Sequence, residues 1–82
     1  MRILLLGEVM CLREPVRYYL LVEELDGEKE QYGVCVSYRE EKVRLPGLTV
    51  SQRAVQELLG TLIRGRVTPV SVPAVVDDWL LR

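Results

Sequence analysis

The apolar residues of this chain change their spacing near residue 50, and this change limits the folds it can adopt. Before that point they alternate with polar residues or form short continuous runs, as β-strands require. After it they recur every three or four positions, as on one face of an α-helix. Strands followed by helices are typical of the α+β class.

The first part of the chain predicts an antiparallel sheet of about four strands. Residues 16–25 are rich in tyrosine and branched residues, and Asp26-Gly27 then favours a two-residue hairpin turn. The nearly continuous apolar run near the N-terminus predicts a further strand, and Pro46-Gly47 predicts the end of the last one. The predicted strands are residues 2–11, 16–25, 30–39 and 42–46.

The hairpin turn also determines which residues of the two central strands share a face. With Asp26 and Gly27 as the only turn residues, Leu21 lies opposite Tyr32, and Tyr18 lies opposite Cys35. Side chains alternate between the two faces of a sheet. The face towards the long helix is therefore predicted to carry Tyr19, Leu21, Tyr32, Val34 and Val36, and the opposite face Tyr18, Leu20, Val22 and Cys35.

Two helices are predicted in the second part, at residues 50–64 and 72–82. Thr49 and Ser51 are competing caps for the first helix, and Ser71 with Pro73 marks the start of the second. We expect the first helix to pack on the sheet as part of one small domain, residues 1–82. The residues predicted to contact the sheet are Val55, Leu58, Leu59 and Leu62.

No constellation of catalytic or metal-binding residues is visible in the sequence. The chain contains no histidine, which excludes histidine-based triads and zinc motifs, and its glycines form no phosphate-binding loop. Cys35 lies within a predicted strand and is interpreted as a small buried hydrophobe. Asp77 and Asp78 are adjacent on a helix and diverge by about 100°. We therefore predict a non-enzyme without cofactor or metal.

Charge and hydropathy predict the compartment. The net charge of −1 argues against nucleic-acid binding, and no segment reaches the roughly 20 apolar residues of a membrane span. The apolar run at residues 3–6 is too short for a secretory signal, and Glu8 interrupts it. We expect a cytoplasmic protein whose two cysteines, Cys11 and Cys35, are reduced.

Three stretches, YYLLVEE, YGVCV and LTVSQRAVQELLGTLIRGRVTPVSVPAVVDDWL, resemble a family of short bacterial proteins of unknown function. The resemblance covers roughly residues 18–80 and leaves residues 1–12 outside it. Its marks are Tyr32-Gly33, Thr68-Pro69 and Asp77-Asp78-Trp79. It implies a small cytoplasmic domain, and no activity, cofactor or catalytic residue.

Together these features predict a non-catalytic protein-binding or regulatory module. The alternatives are a nucleic-acid-binding regulator and a small-ligand sensor. Two helices can hardly cover both faces of a four-stranded sheet, and large exposed apolar patches are rare on monomers. The face opposite the long helix and the apolar residues 3–6 and 9–12 would be covered by the short helix with Trp79, by closure of the sheet into a barrel, or by a second copy. Of these we expect a homodimer, with a candidate interface of Tyr18, Leu20, Val22 and Trp79.

Overall fold

The computed structural model describes residues 1–82 and shows one four-stranded sheet followed by helices, as predicted for the α+β class. The strands are antiparallel and neighbour one another in chain order, so the sheet is a simple meander. The elements are β1 (Arg2–Cys11), β2 (Glu14–Glu24), β3 (Glu30–Tyr38), β4 (Glu41–Thr49), α1 (Gln52–Arg64), a 3₁₀ turn (Pro69–Ser71) and α2 (Val72–Leu80).

The turn between β2 and β3 is longer than the sequence predicts, and the predicted register is wrong by one residue. The turn comprises residues 25–29, and it is closed by a hydrogen bond from Leu25 N to Lys29 O of 2.9 Å. Leu21 consequently pairs with Gly33, and Tyr19 with Cys35. Because side chains alternate along a strand, this single step exchanges the two faces of β2.

The core lies between the sheet and the helices and contains the face of β2 that was predicted to point away from them. Tyr18, Leu20 and Val22 are buried there, whereas Tyr19 and Leu21 lie on the opposite, outer face. The predictions for β3 and for α1 are confirmed. The buried cluster contains Val16, Tyr18, Leu20, Val22, Tyr32, Val34, Val36, Tyr38, Val55, Leu58, Leu59, Leu62, Val72 and Val76.

The last strand does not end at Pro46 as predicted but continues to Thr49. Its register against β3 shifts where Tyr32 pairs with Thr49 and Val34 pairs with Leu45, so the intervening residues of β4 bulge outwards. Since β4 is an edge strand, the missing N–H group of Pro46 leaves no partner unsatisfied. Gly47 accepts the positive φ of 67° that this bulge requires.

Both helices pack on the same face of the sheet. The Ser51 side chain caps α1 by accepting a hydrogen bond of 3.1 Å from Ala54 N, while Thr49 Oγ1 accepts one from Ser51 N. Val72 and Val76 of α2 belong to the same buried cluster as α1, so α2 does not cover the outer face. Neither helix is long and apolar enough to cross a membrane.

Candidate functional site

Three of the four residues of the predicted interface are buried in the core instead of lying on the surface. Tyr18, Leu20 and Val22 are at most 5% exposed. The Tyr18 hydroxyl donates a hydrogen bond of 2.9 Å to Val67 O, which ties β2 to the segment that leaves α1. Burial raises the pKa of Tyr18, and the nearby Cys11 raises it further, so the hydroxyl stays protonated and a donor at neutral pH. These three side chains therefore form no exposed surface in the folded chain.

The exposed apolar surface lies instead on β1, an edge strand of the sheet. Residues 3–6, which we name the β1 strip, are Ile3, Leu4, Leu5 and Leu6, each between 42% and 53% exposed. Ile3 and Leu5 lie on the outer face, where they pair with Leu21 and Tyr19. Leu4 lies on the helix face, and Leu6 sits in a bulge between Leu5 and Gly7. The strip therefore exposes apolar side chains on both sides of the strand.

The middle of the outer face is closed by side chains from both edge strands. Arg44 of β4 reaches over to donate a hydrogen bond of 2.9 Å to Met1 Sδ, beside the start of β1. Leu21 and Cys35 are 1% and 2% exposed although no helix covers them. A small cavity of about 150 Å³ remains there, lined by Ile3, Tyr19, Cys35, Lys42 and Arg44.

The environment of Cys35 suits a packing residue, as its position in the strand predicts. Burial raises the pKa of its thiol, although Lys42 and Arg44 act in the opposite direction. Because the thiolate is the reactive form, a raised pKa and a buried sulfur both slow reactions of Cys35 at neutral pH.

We expect iodoacetamide to modify Cys35 slowly at pH 7 in a variant that lacks the other cysteine, Cys11→Ser. The rate in the folded variant should be at least about tenfold lower than the rate in the same variant in denaturant. Intact-mass spectrometry of timed samples measures the rate, and the matched Cys35→Ser variant reports on the half-buried Cys11. The rate of Cys35 modification increases with pH as the thiol ionises. This increase should occur at higher pH in the folded chain than in the unfolded chain. Equal folded and unfolded rates would show that the thiol is accessible.

A second surface feature is a polar cleft between α1 and α2, which we name the arginine cleft. Its volume is about 580 Å³, and Trp79, the fourth residue of the predicted interface, forms its one apolar wall. Trp79 is half-buried, since part of its ring packs on the core. The other lining residues are Arg53, Gln56, Glu57, Gly60, Thr61, Arg64 and Arg82.

Part of this cleft has a signal in the sequence. Arg53, Gly60 and Arg64 follow one another at intervals of seven and four residues, which places them on one face of a helix. The contribution of Arg82 depends on how α2 packs against α1, and no local pattern reports that. Arg64 was expected only to stabilise the C-terminal end of the helix, and none of these arginines was predicted as a site residue.

A family model described as "Family of unknown function (DUF6514)" matches residues 7–82. The chain belongs to this family. The family region begins earlier than the resemblance at residues 18–80 indicates, and it contains the whole arginine cleft, whereas the β1 strip precedes it. Comparison with curated proteins and with solved structures finds no match.

Proposed function

We propose that this protein is a non-catalytic protein-binding or regulatory module, and that the β1 strip is its binding surface. The observation that supports this proposal is the position of four consecutive exposed apolar residues on a free strand edge. An edge strand offers unpaired backbone N–H and C=O groups, so apolar side chains beside them favour addition of another strand.

The partner that best fits the strip is a second copy of this chain. A two-fold axis through Leu5 would pair β1 with β1 in antiparallel fashion and place apolar residues of one copy against those of the other. Arg2 and Glu8 lie on opposite faces of the sheet and already pair with Glu30 and Arg17, so the apolar residues of the strip are what support this pairing. A strand of ten residues spans about 33 Å.

The size of this contact predicts a reversible homodimer. Addition of one strand to another buries less surface than the roughly 1,600 Å² of a standard stable interface. The dimer should therefore dissociate on dilution, and its formation should depend on the side chains of residues 3–6.

We expect Leu5→Glu to abolish this dimer, because the new carboxylate would lie beside its symmetry mate in the paired strands. Size-exclusion chromatography with light scattering, over a series of protein concentrations, measures the mass. The natural chain should pass from one to two copies as concentration rises, whereas the variant should remain a single copy.

The matched control is Val50→Glu, which adds the same charge at an apolar residue that is 68% exposed and lies outside β1. Its dimer should dissociate at the same concentration as that of the natural chain. A single-copy mass for the natural chain at every concentration, or equal loss of the dimer in both variants, contradicts the proposed interface.

We also place the protein in the cytoplasm. Both cysteines are free in the fold, and free thiols persist in a reducing compartment. Trapping of thiols with a maleimide in intact cells, followed by fractionation, tests this placement. Recovery of the chain in an oxidising compartment would contradict it.

A further inference from the structure

The arginine cleft concentrates positive charge on a chain whose net charge is −1. Three guanidinium groups line it, and Glu57 is the only carboxylate among its lining residues. Arg53 and Arg64 form no ion pair, and Arg82 approaches Asp78 only at 3.7 Å, with both side chains largely exposed. Because a pair of this kind is weak in water, all three guanidinium groups stay available to an anion.

Gly60 allows one of these guanidinium groups to lie close to the helix. A Cβ atom at this position would be 3.1 Å from Arg64 Nη1, so the Arg64 side chain folds back over the glycine. Its Nη2 donates a hydrogen bond of 3.4 Å to Thr61 Oγ1. Glycine destabilises a helix interior relative to alanine, and at this position it leaves room for the Arg64 guanidinium group beside the helix.

Trp79 supplies an aromatic surface beside these charges. It is half-buried, so the packing on the core restricts its ring while the remainder borders the cleft. Flat rings stack on tryptophan, and arginine guanidinium groups bind phosphate oxygens with two parallel hydrogen bonds. A ligand that carries both a flat ring and several phosphate oxygens would engage both features.

We propose that the arginine cleft binds a free nucleoside polyphosphate, with its base on Trp79 and its phosphates on Arg53, Arg64 and Arg82. The volume of about 580 Å³ is in the range of small-molecule sites. This inference goes beyond the proposed dimerisation, because no residue of the cleft belongs to β1.

The surroundings favour a free nucleotide over a nucleic-acid strand or an acidic peptide. Asp77 and Asp78 are exposed on α2 next to the cleft, and they would repel a phosphate backbone that continued past it. An acidic peptide would use the arginines but would leave the aromatic surface of Trp79 without a stacking partner. A compact anion with one ring avoids both difficulties.

Trp79 is the only tryptophan, so its fluorescence reports on the proposed site directly. We expect ATP to quench this fluorescence saturably at low salt, after correction for absorbance with N-acetyltryptophanamide. Adenosine and inorganic triphosphate should each bind at least about tenfold more weakly than ATP, because each lacks one half of the recognised chemistry. Oligoadenylate RNA and hexaglutamate provide the competing ligand classes.

The variant Arg53→Gln/Arg64→Gln should weaken ATP binding by at least about tenfold while it unfolds at the same denaturant concentration, since both side chains are exposed. The matched control, Arg13→Gln/Arg39→Gln, removes the same charge from two turns of the sheet and should leave binding unchanged. Three results would overturn the proposal: no saturable quenching by ATP, equal weakening in both double variants, or binding of RNA or hexaglutamate at least as tight as that of ATP. The mass measurement on the β1 strip is independent of all three.

Discussion

Replacement of Leu58 by alanine is expected to reduce the free energy of unfolding by about 2–5 kcal/mol. Leu58 is fully buried in α1, within the cluster that joins this helix to β2 and β3. The truncated side chain removes apolar contacts and leaves a cavity that the surrounding strands can fill only in part. A domain of this size has roughly 4–12 kcal/mol of stability in total, so the loss is a large fraction of it.

Urea denaturation followed by circular dichroism measures this change. The matched control is Leu81→Ala, because Leu81 is 85% exposed just after α2 and should lose less than about 0.5 kcal/mol. A loss for Leu58→Ala as small as that of the control would show that α1 does not form the core with the sheet.

The class of the fold could be predicted because it depends on the spacing of apolar residues within each segment. The residues of α1 that face the sheet recur at helical spacing, and Tyr32, Val34, Val36 and Tyr38 alternate cleanly along β3. In each segment one face is clearly more apolar than the other. Packing of the elements then confirms what the local pattern predicts.

The orientation of β2 could not be predicted as easily, because both of its faces carry large apolar residues. A change of one residue in the length of the turn exchanges the two faces of β2. The pattern of apolar residues in β2 fits either orientation almost equally well. A weaker signal was present in the charges, since Arg17 and Glu23 share a face with Tyr19 and Leu21. That charged face is the outer one, on which Glu8 of the neighbouring strand pairs with Arg17 at 3.0 Å.

The edge position of β1 and the arginine cleft depend on tertiary arrangement and were therefore not predicted. Exposure of the β1 strip follows from the place of β1 at the sheet edge and from both helices lying on one face. A continuous apolar run such as residues 3–6 is typical of strands buried on both faces, so the run alone does not indicate an exposed edge strand. The arginine cleft likewise forms only when α2 packs beside α1.

Close contact of two backbones explains why β3 contains Gly33. A Cβ atom at this position would lie 2.3 Å from Leu45 O and 2.6 Å from Pro46 Cα, both of them backbone atoms of β4. Gly33 faces the bulge of β4, where Pro46 and Gly47 turn the chain away from regular pairing. Position 33 requires glycine because there is no space for a Cβ atom. Its φ is not in the left-handed region that favours glycine.

We therefore expect Gly33→Ala to reduce the free energy of unfolding by about 3 kcal/mol or more, because a backbone cannot move aside as a side chain can. Gly27→Ala is the matched control: a Cβ atom there would meet nothing within 4 Å, and only its positive φ of 79° opposes the change. That strain costs about 1–2 kcal/mol. Urea denaturation of both variants under the same conditions compares the two costs. If Gly33→Ala loses no more stability than Gly27→Ala, then β4 does not press against β3 at the bulge, and the continuation of β4 to Thr49 is wrong.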